Sequence, residues 1–329
     1  MYAKFERRFS MYKIVFNIPS YIPHSKTDLE KLLDPEKFSD VVFVNKPDQL
    51  EKVIEDADVV VTFPCDASII KKGKKLKWLQ AISVGVDAFP LQELHEKGVI
   101  ITNGKGVHRI HMAEYAIASM IIMARNFHVM MENKISHSWN RKVPQNEIFG
   151  ATVGILGLGS IGQEVAKKAS LMGMRVIGIK NTPTDIPYVE KVAGIDEIES
   201  VFKESDYIIN LLPETKMTKK IIGFNLLSKM KKEACLINMG RGGTVDEEAL
   251  IKVLEEGKIR GLVSDVFDEE PLSEESPLWK MDNVVITPHM CGESVKYMEK
   301  LKPILQNNIK VFQGGKGSMM NLVDLDKGY

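Results

Sequence analysis

A doubly wound α/β fold, built as two parallel-sheet domains, is the architecture this chain predicts. Three observations carry that expectation. Short β-branched runs alternate with charged, amphipathic stretches in two successive series, the pattern of strands covered by helices on both faces. One run ends in glycines spaced GxGxxG and leads into a helix-like stretch. The chain is also 329 residues long, more than a single hydrophobic core usually organises.

The first series comprises Lys13–Ile18, Val41–Val44, Val59–Phe63 and Leu79–Ile82. Met11 directly precedes it, so residues 1–10 read as an extension of little structural weight. After Asn103 comes Met112–His128, a helical pattern rich in Met, Ala and Ile with few charges, which suits a helix buried between domains or subunits. Pro144 and Gly150 punctuate the chain, and a second series follows at Val153–Leu156, Arg175–Ile179, Tyr207–Leu211, Cys235–Asn238, Leu262–Val266 and Val284–Thr287. The last segment, Val295–Gln313, reads as a helix that returns to the first domain. The predicted boundaries are therefore 1–104 with 293–329 for one domain and 105–292 for a domain inserted into it.

Composition excludes several functions. Hydrophobic residues make up 44% and charged residues 27%, and Lys+Arg balance Asp+Glu at 44 each. With a net charge of +0, no global field draws the protein to nucleic acid or an anionic membrane. The longest apolar stretch, Tyr115–Ala124, is about half of a membrane span. Cys65, Cys235 and Cys291 form no CxxC pair and read as reduced thiols of a cytoplasmic protein. No histidine or cysteine cluster has metal-ligand spacing, so no metal is expected.

The glycine turn is Gly157-Leu158-Gly159-Ser160-Ile161-Gly162, between the strand at Val153–Leu156 and a helix predicted over Gln163–Met172. Gly157 permits a tight turn, Gly159 lets the backbone approach a pyrophosphate, and Gly162 lets helix and strand pack closely, with the diphosphate on the helix N-terminus. A bare GxGxxG is also found in ordinary turns; the flanking strand, helix and second strand make this one a dinucleotide site. The second strand ends at Gly178-Ile179-Lys180-Asn181-Thr182. An acidic residue there would bond the ribose hydroxyl of NAD, and none is present. Lys180, Asn181 and Thr182 are suited to cradle a 2′-phosphate, which favours NADP(H) over NAD(H), although Asp185 lies close enough to reach back.

Three further stretches place polar residues after strands, where open α/β sheets hold their ligands. They are Asn238-Met239-Gly240-Arg241-Gly242-Gly243, Asp265-Val266-Phe267-Asp268-Glu269-Glu270-Pro271-Leu272 and Thr287-Pro288-His289-Met290-Cys291-Gly292. Each alone has a bland reading as an exposed arginine, a charged loop or a histidine after proline. Together, in this order behind a dinucleotide turn, they resemble the D-isomer-specific 2-hydroxyacid dehydrogenases, most strongly from Asn103 to Gly292.

The resemblance implies an oxidoreductase with two Rossmann-like domains, moving a hydride between NAD(P)H and a small 2-keto or 2-hydroxy acid of the glyoxylate/hydroxypyruvate type with D stereospecificity. It places the catalytic residues at Arg241, Glu270 and His289 and the nicotinamide-side aspartate at Asp265. It also assigns substrate-carboxylate binding to the backbone of Val84 and Gly85, in the turn Ala81-Ile82-Ser83-Val84-Gly85-Val86-Asp87. Candidate cofactor-binding residues are Gly157, Gly159, Ser160, Ile161, Gly162, Lys180, Asn181, Thr182, Pro213, Met239, Asp265 and His289.

The chemistry requires these types. Hydride arriving at a carbonyl carbon leaves charge on oxygen, so a proton donor that titrates near the working pH must stand within hydrogen-bond reach. A carboxylate beside an imidazole orients the ring and favours its protonated form. Arginine offers a planar fork that holds the substrate carboxylate and polarises the keto oxygen. Ser160 stands where an arginine often meets the pyrophosphate, and Cys291 where alanine or serine is usual; Cys291 reads as a small buried thiol. His137 and Trp139 either line the cleft or pack. The same fold serves nucleotide-sensing corepressors and dehydrogenases using formate or phosphite, and these are the competing readings. The expected partner is the small substrate alone, in a homodimer joined through Met112–His128.

Overall fold

The computed structural model describes residues 11–20, 22–86 and 88–324; the expectation for residues 1–10, and Asp87 of the turn, lie outside them. The chain divides into two compact units, Met1–Val107 with Ser294–Tyr329, and His108–Glu293.

In the first unit, β1 (Tyr12–Asn17), β2 (Phe38–Val44), β3 (Val59–Thr62), β4 (Trp78–Ala81) and β5 (Ile100–Thr102) form a parallel sheet ordered β2-β1-β3-β4-β5. Both faces are buried, as a parallel sheet requires. Ile14, Phe16, Trp78 and Ile82 pack on one side with Tyr297, Leu301, Leu305 and Ile309 of the helix Tyr297–Phe312. Val15, Val60 and Leu79 pack on the other with Leu50, Ile54 and Leu94. Each such fully buried aliphatic side chain contributes about 1.5–3 kcal/mol. The Tyr297 hydroxyl donates to the Ile82 carbonyl at 2.8 Å, fixing the C-terminal helix on this sheet.

In the second unit, β6 (Thr152–Leu156), β7 (Arg175–Ile179), β8 (Lys191–Ala193), β9 (Tyr207–Asn210), β10 (Cys235–Asn238), β11 (Gly261–Ser264) and β12 (Val284–Ile286) form a parallel sheet ordered β12-β11-β10-β9-β6-β7-β8. The order reverses between β6 and β9, the point at which doubly wound sheets open a crevice for ligand. Strands β5 and β8 were not expected. Each has three residues, a run short enough to be passed over in the sequence.

The helix expected over Met112–His128 is instead Arg109–Ala124, followed after a break by Phe127–Ile135. Asn126 causes the break by taking a left-handed conformation, φ 50°, which asparagine tolerates better than most residues. The Arg260 guanidinium secures it, donating to the Met123 carbonyl and, at 3.1 Å, to the Asn126 side chain. Met112, Ala116, Met120 and Met123 of the first helix pack inside the second unit, against Val153, Ile155, Val165 and Ile237. The helix after the glycine turn starts at Ser160, not Gln163, and runs to Leu171.

Candidate active site

The ends of β10, β11 and β12 are in register, with Asn238 beside Ser264 and Ser264 beside Ile286. The three loops singled out in the sequence therefore leave the same sheet edge side by side. A polar ladder beneath them fixes the Arg241 turn. The buried Asn210 amide donates to Asn238 and Thr244, both at 2.8 Å, and the Thr244 hydroxyl donates to the Arg241 carbonyl at 2.6 Å. The Arg241 guanidinium is partly exposed and donates to the Gly240 carbonyl at 3.0 Å. Its charge reaches Cys291, two residues past His289, where it pulls the thiol pKa down against burial.

Glu270 and His289 meet. The carboxylate Oε2 lies 2.7 Å from His289 Nδ1, and Oε1 accepts the Phe267 amide at 3.0 Å. Both oxygens are thus engaged, and a proton on Nδ1 is held at the carboxylate while Nε2 is left for another partner. The ring is half exposed.

Asp265 holds the histidine loop. Its side chain is 0% exposed, and its carboxylate accepts the Met290 amide at 3.0 Å, the Cys291 amide at 3.0 Å and the Thr287 hydroxyl at 2.5 Å. Its own carbonyl accepts the His289 amide at 2.8 Å. His289 has φ 51°, a left-handed conformation that persists in a non-glycine residue only where its surroundings enforce it. Asp265 supplies that enforcement. Every polar atom of its side chain is engaged by the histidine loop.

The glycine turn fits a pyrophosphate. Gly157 has φ +106°, and a Cβ there would also press on the Leu211 carbonyl at 3.1 Å. A Cβ on Gly162 would collide with the Gly157 carbonyl, so helix and turn touch backbone to backbone. Gly159, directly before the helix Ser160–Leu171, is exposed and has open space on its Cβ side. Ser160 and Ile161 open that helix, whose free N–H groups suit an anion. The Gly157 and Leu158 amides both donate to the Ile179 carbonyl, at 3.2 and 2.9 Å, which sets Lys180 beside the turn. The Lys180 ammonium donates to the Thr184 hydroxyl at 3.0 Å, while Asn181, Thr182 and Asp185 are exposed.

The remaining candidates are more dispersed. Pro213 is exposed after β9, whereas Met239 is 2% exposed and serves the core. Val84 and Gly85 belong to the first unit, where the Ser83 hydroxyl donates to the Gly85 carbonyl at 2.6 Å and Asn103 to the Val84 carbonyl at 3.0 Å. His137 and Trp139 do not pack: both are exposed, Trp139 at 92%. Reading the sequence missed Thr184, Asn210, Thr244 and the role of Thr287. A polar residue closing an otherwise apolar strand, as at Asn210, was the available signal. Among the described residues no three or more His, Cys, Asp or Glu side chains are grouped to hold a metal, and no helix is long and apolar enough to cross a membrane.

A sheet edge built this way defines a dinucleotide-binding oxidoreductase. Residues 117–291 match the family model described as D-isomer specific 2-hydroxyacid dehydrogenase, NAD binding domain. Hydroxypyruvate reductase of Thermotoga maritima is 35% identical over 287 residues, covering 85% of this chain and 92% of that protein. D-3-phosphoglycerate dehydrogenase of Methanocaldococcus jannaschii is 36% identical over 272 residues, 81% of this chain, which spans about half, 52%, of that relative's length. Among solved structures, an NADPH-dependent glyoxylate/hydroxypyruvate reductase of Sinorhizobium meliloti in complex with NADP and sulfate superposes with a TM-score of 0.79 at 26% identity, covering 96% of this chain and 100% of that one. The chain belongs to the D-isomer-specific 2-hydroxyacid dehydrogenases, NAD(P)-dependent oxidoreductases of small keto and hydroxy acids.

Proposed function

We propose that this protein reduces a small 2-keto acid of the glyoxylate or hydroxypyruvate type to the D-2-hydroxy acid, with NADP(H) favoured over NAD(H). The observation that carries the reading is the 2.7 Å contact between Glu270 and His289, on the same edge as Arg241. The relatives named hydroxypyruvate reductase and NADPH-dependent glyoxylate/hydroxypyruvate reductase support this substrate class over the corepressor, formate and phosphite readings.

When bound, the reduced nicotinamide supplies the hydride. The chain's own residues do the rest. Gly157, Gly159, Ser160, Ile161 and Gly162 would hold the pyrophosphate, and Lys180 with Asn181 and Thr182 the 2′-phosphate; Pro213, Asp265 and His289 complete the assigned cofactor set, and the buried Met239 supports it from the core. Arg241 binds the substrate carboxylate and polarises the keto oxygen with its planar fork; Val84 and Gly85, in the first unit, are the main-chain donors that the family resemblance assigns to carboxylate binding. As charge grows on the keto oxygen, His289 delivers the proton from Nε2 while Glu270 holds the ring at Nδ1 and balances its charge. The inserted 105–292 domain is thus the dinucleotide-binding one, and 1–104 with 293–329 the substrate domain.

We further place the enzyme in the cytoplasm as a homodimer. Three unpaired cysteines support a reducing compartment. Phe127, Met131 and Ile135 form an exposed stripe at helical spacing, and Ile121, Ala124, Ile148, Phe149 and Met172 line an apolar groove of about 320 Å³, the kind of surface a second copy covers. A panel of glyoxylate, hydroxypyruvate, pyruvate and bulkier keto acids, assayed with NADPH and NADH side by side, tests the activity. Oxidation of NADPH with the small acids is the expected result; no turnover with any keto acid would overturn the reading.

A further inference from the structure

The Asp265 carboxylate joins the histidine loop to two hydroxyls that the mechanism leaves unused. Tyr115, in the helix Arg109–Ala124, has its hydroxyl 2.6 Å from Thr287 Oγ1, and Thr287 Oγ1 lies 2.5 Å from Asp265 Oδ1. Proton counting sets the direction. Thr287 donates its single hydroxyl proton to Asp265 Oδ1, so the proton between the two hydroxyls comes from Tyr115. Burial pushes the Tyr115 phenol up to about 12, so it keeps that proton at any working pH. The chain runs Tyr115 to Thr287 to Asp265, and the same carboxylate takes the Met290 and Cys291 amides that follow His289.

We propose that Tyr115 and Thr287 are positioning residues for hydride-linked proton transfer, acting through Asp265 to hold His289 in its left-handed conformation facing Glu270. The inference rests on the reading of His289 as the proton donor. A buried carboxylate with a missing donor is costly and seeks another. The nearest donors are the loop's own amides and the Cys291 thiol, so losing the Thr287 hydroxyl re-aims the segment that carries the imidazole. Bonds that share a charged acceptor reinforce one another, which makes the two hydroxyls act as one unit and not as independent supports.

The test compares Thr287→Val, Thr287→Ser, Tyr115→Phe and the Thr287→Val/Tyr115→Phe double variant with NADPH and glyoxylate, with His289→Asn run alongside. Loss of the threonine hydroxyl should cut kcat about tenfold, the effect of a small misplacement of a catalytic group, with the KM for NADPH unchanged. Thr287→Ser, which keeps the hydroxyl, should restore most of the rate, and Tyr115→Phe should lower kcat by about threefold. The double variant should be no slower than Thr287→Val, because Tyr115 acts through Thr287. A wild-type kcat in both Tyr115→Phe and Thr287→Val, or losses that multiply in the double variant, would overturn the proposal. Should Thr287→Val not fold, the Tyr115→Phe and Thr287→Ser rates decide: a normal rate in the first with a slowed one in the second overturns it. Undiminished turnover in His289→Asn would instead sink the proton-donor reading itself, so the two failures are told apart.

Discussion

Glu270 holds His289 with one carboxylate oxygen and the backbone of its own loop with the other, at 2.7 Å to the ring and 3.0 Å to the Phe267 amide. The imidazole is therefore oriented by a group that is itself immobilised.

Removing the ring should separate chemistry from binding. His289→Ala is expected to lower kcat by about 10²–10⁴-fold, the usual contribution of general acid catalysis. The dissociation constant for NADPH, measured by fluorescence titration, should stay within about twofold because the glycine turn is untouched. Glu270→Gln retains a hydrogen-bond acceptor but loses the charge, so its kcat should fall between those of the wild type and His289→Ala.

Cofactor preference should follow the charge at position 180. Lys180→Asp places a carboxylate where a 2′-phosphate would lie, and such like-charge juxtaposition costs several kcal/mol. The ratio of kcat/KM with NADPH to that with NADH is expected to drop on the order of 10²-fold. A ratio that stays constant would show that the phosphate is not bound there.

Gly162 tests the turn structurally. A Cβ at this position runs into the Gly157 carbonyl, backbone that has nowhere to yield. Gly162→Ala should lower Tm by roughly 3–10 °C and weaken dinucleotide binding, both readable by a melt with and without NADPH. An unchanged melt would overturn the close packing of helix on turn.

The thiols should be quiet. Burial raises Cys65 to about 11, Cys235 to about 12 and Cys291 higher still, the last assisted by the Asp265 carboxylate. A raised pKa reduces the thiolate fraction at pH 8, so iodoacetamide labelling there should be slow and should quicken about tenfold per pH unit towards these values. Mass spectrometry should find Cys235 and Cys291 modified only after unfolding; rapid loss of activity by native-state labelling at Cys291 would contradict the burial.

Association should depend on the exposed stripe. Met131→Asp with Ile135→Asp puts charge on the apolar face of Phe127–Ile135 and is expected to shift the protein to monomer in sedimentation velocity at micromolar concentration, without changing the far-ultraviolet spectrum. A wild-type protein that sediments as a monomer would remove the dimer proposal.

Much of the architecture was legible because it is written in local patterns. Strands β7 and β10 fall on the residues that periodicity marks, since a strand buried on both faces must be a continuous apolar run. The glycine turn was legible for a related reason: a φ of +106° at Gly157 and the backbone contact at Gly162 leave no room for a side chain. The three loops that carry Arg241, Glu270 and His289 were visible as polar residues after strands. What could not be read were features that arise only when distant segments meet. The three-residue strands β5 and β8 exist because a neighbouring strand offers them hydrogen bonds, and the helix break at Asn126 is held by Arg260, 134 residues away. The same holds for the site: sequence marked the candidate side chains, but the partnership of Tyr115, Thr287 and Asp265 spans 172 residues, and only the tertiary structure decided that a buried carboxylate would hold the histidine loop, because desolvation forces such a charge to find its donors wherever the fold brings them.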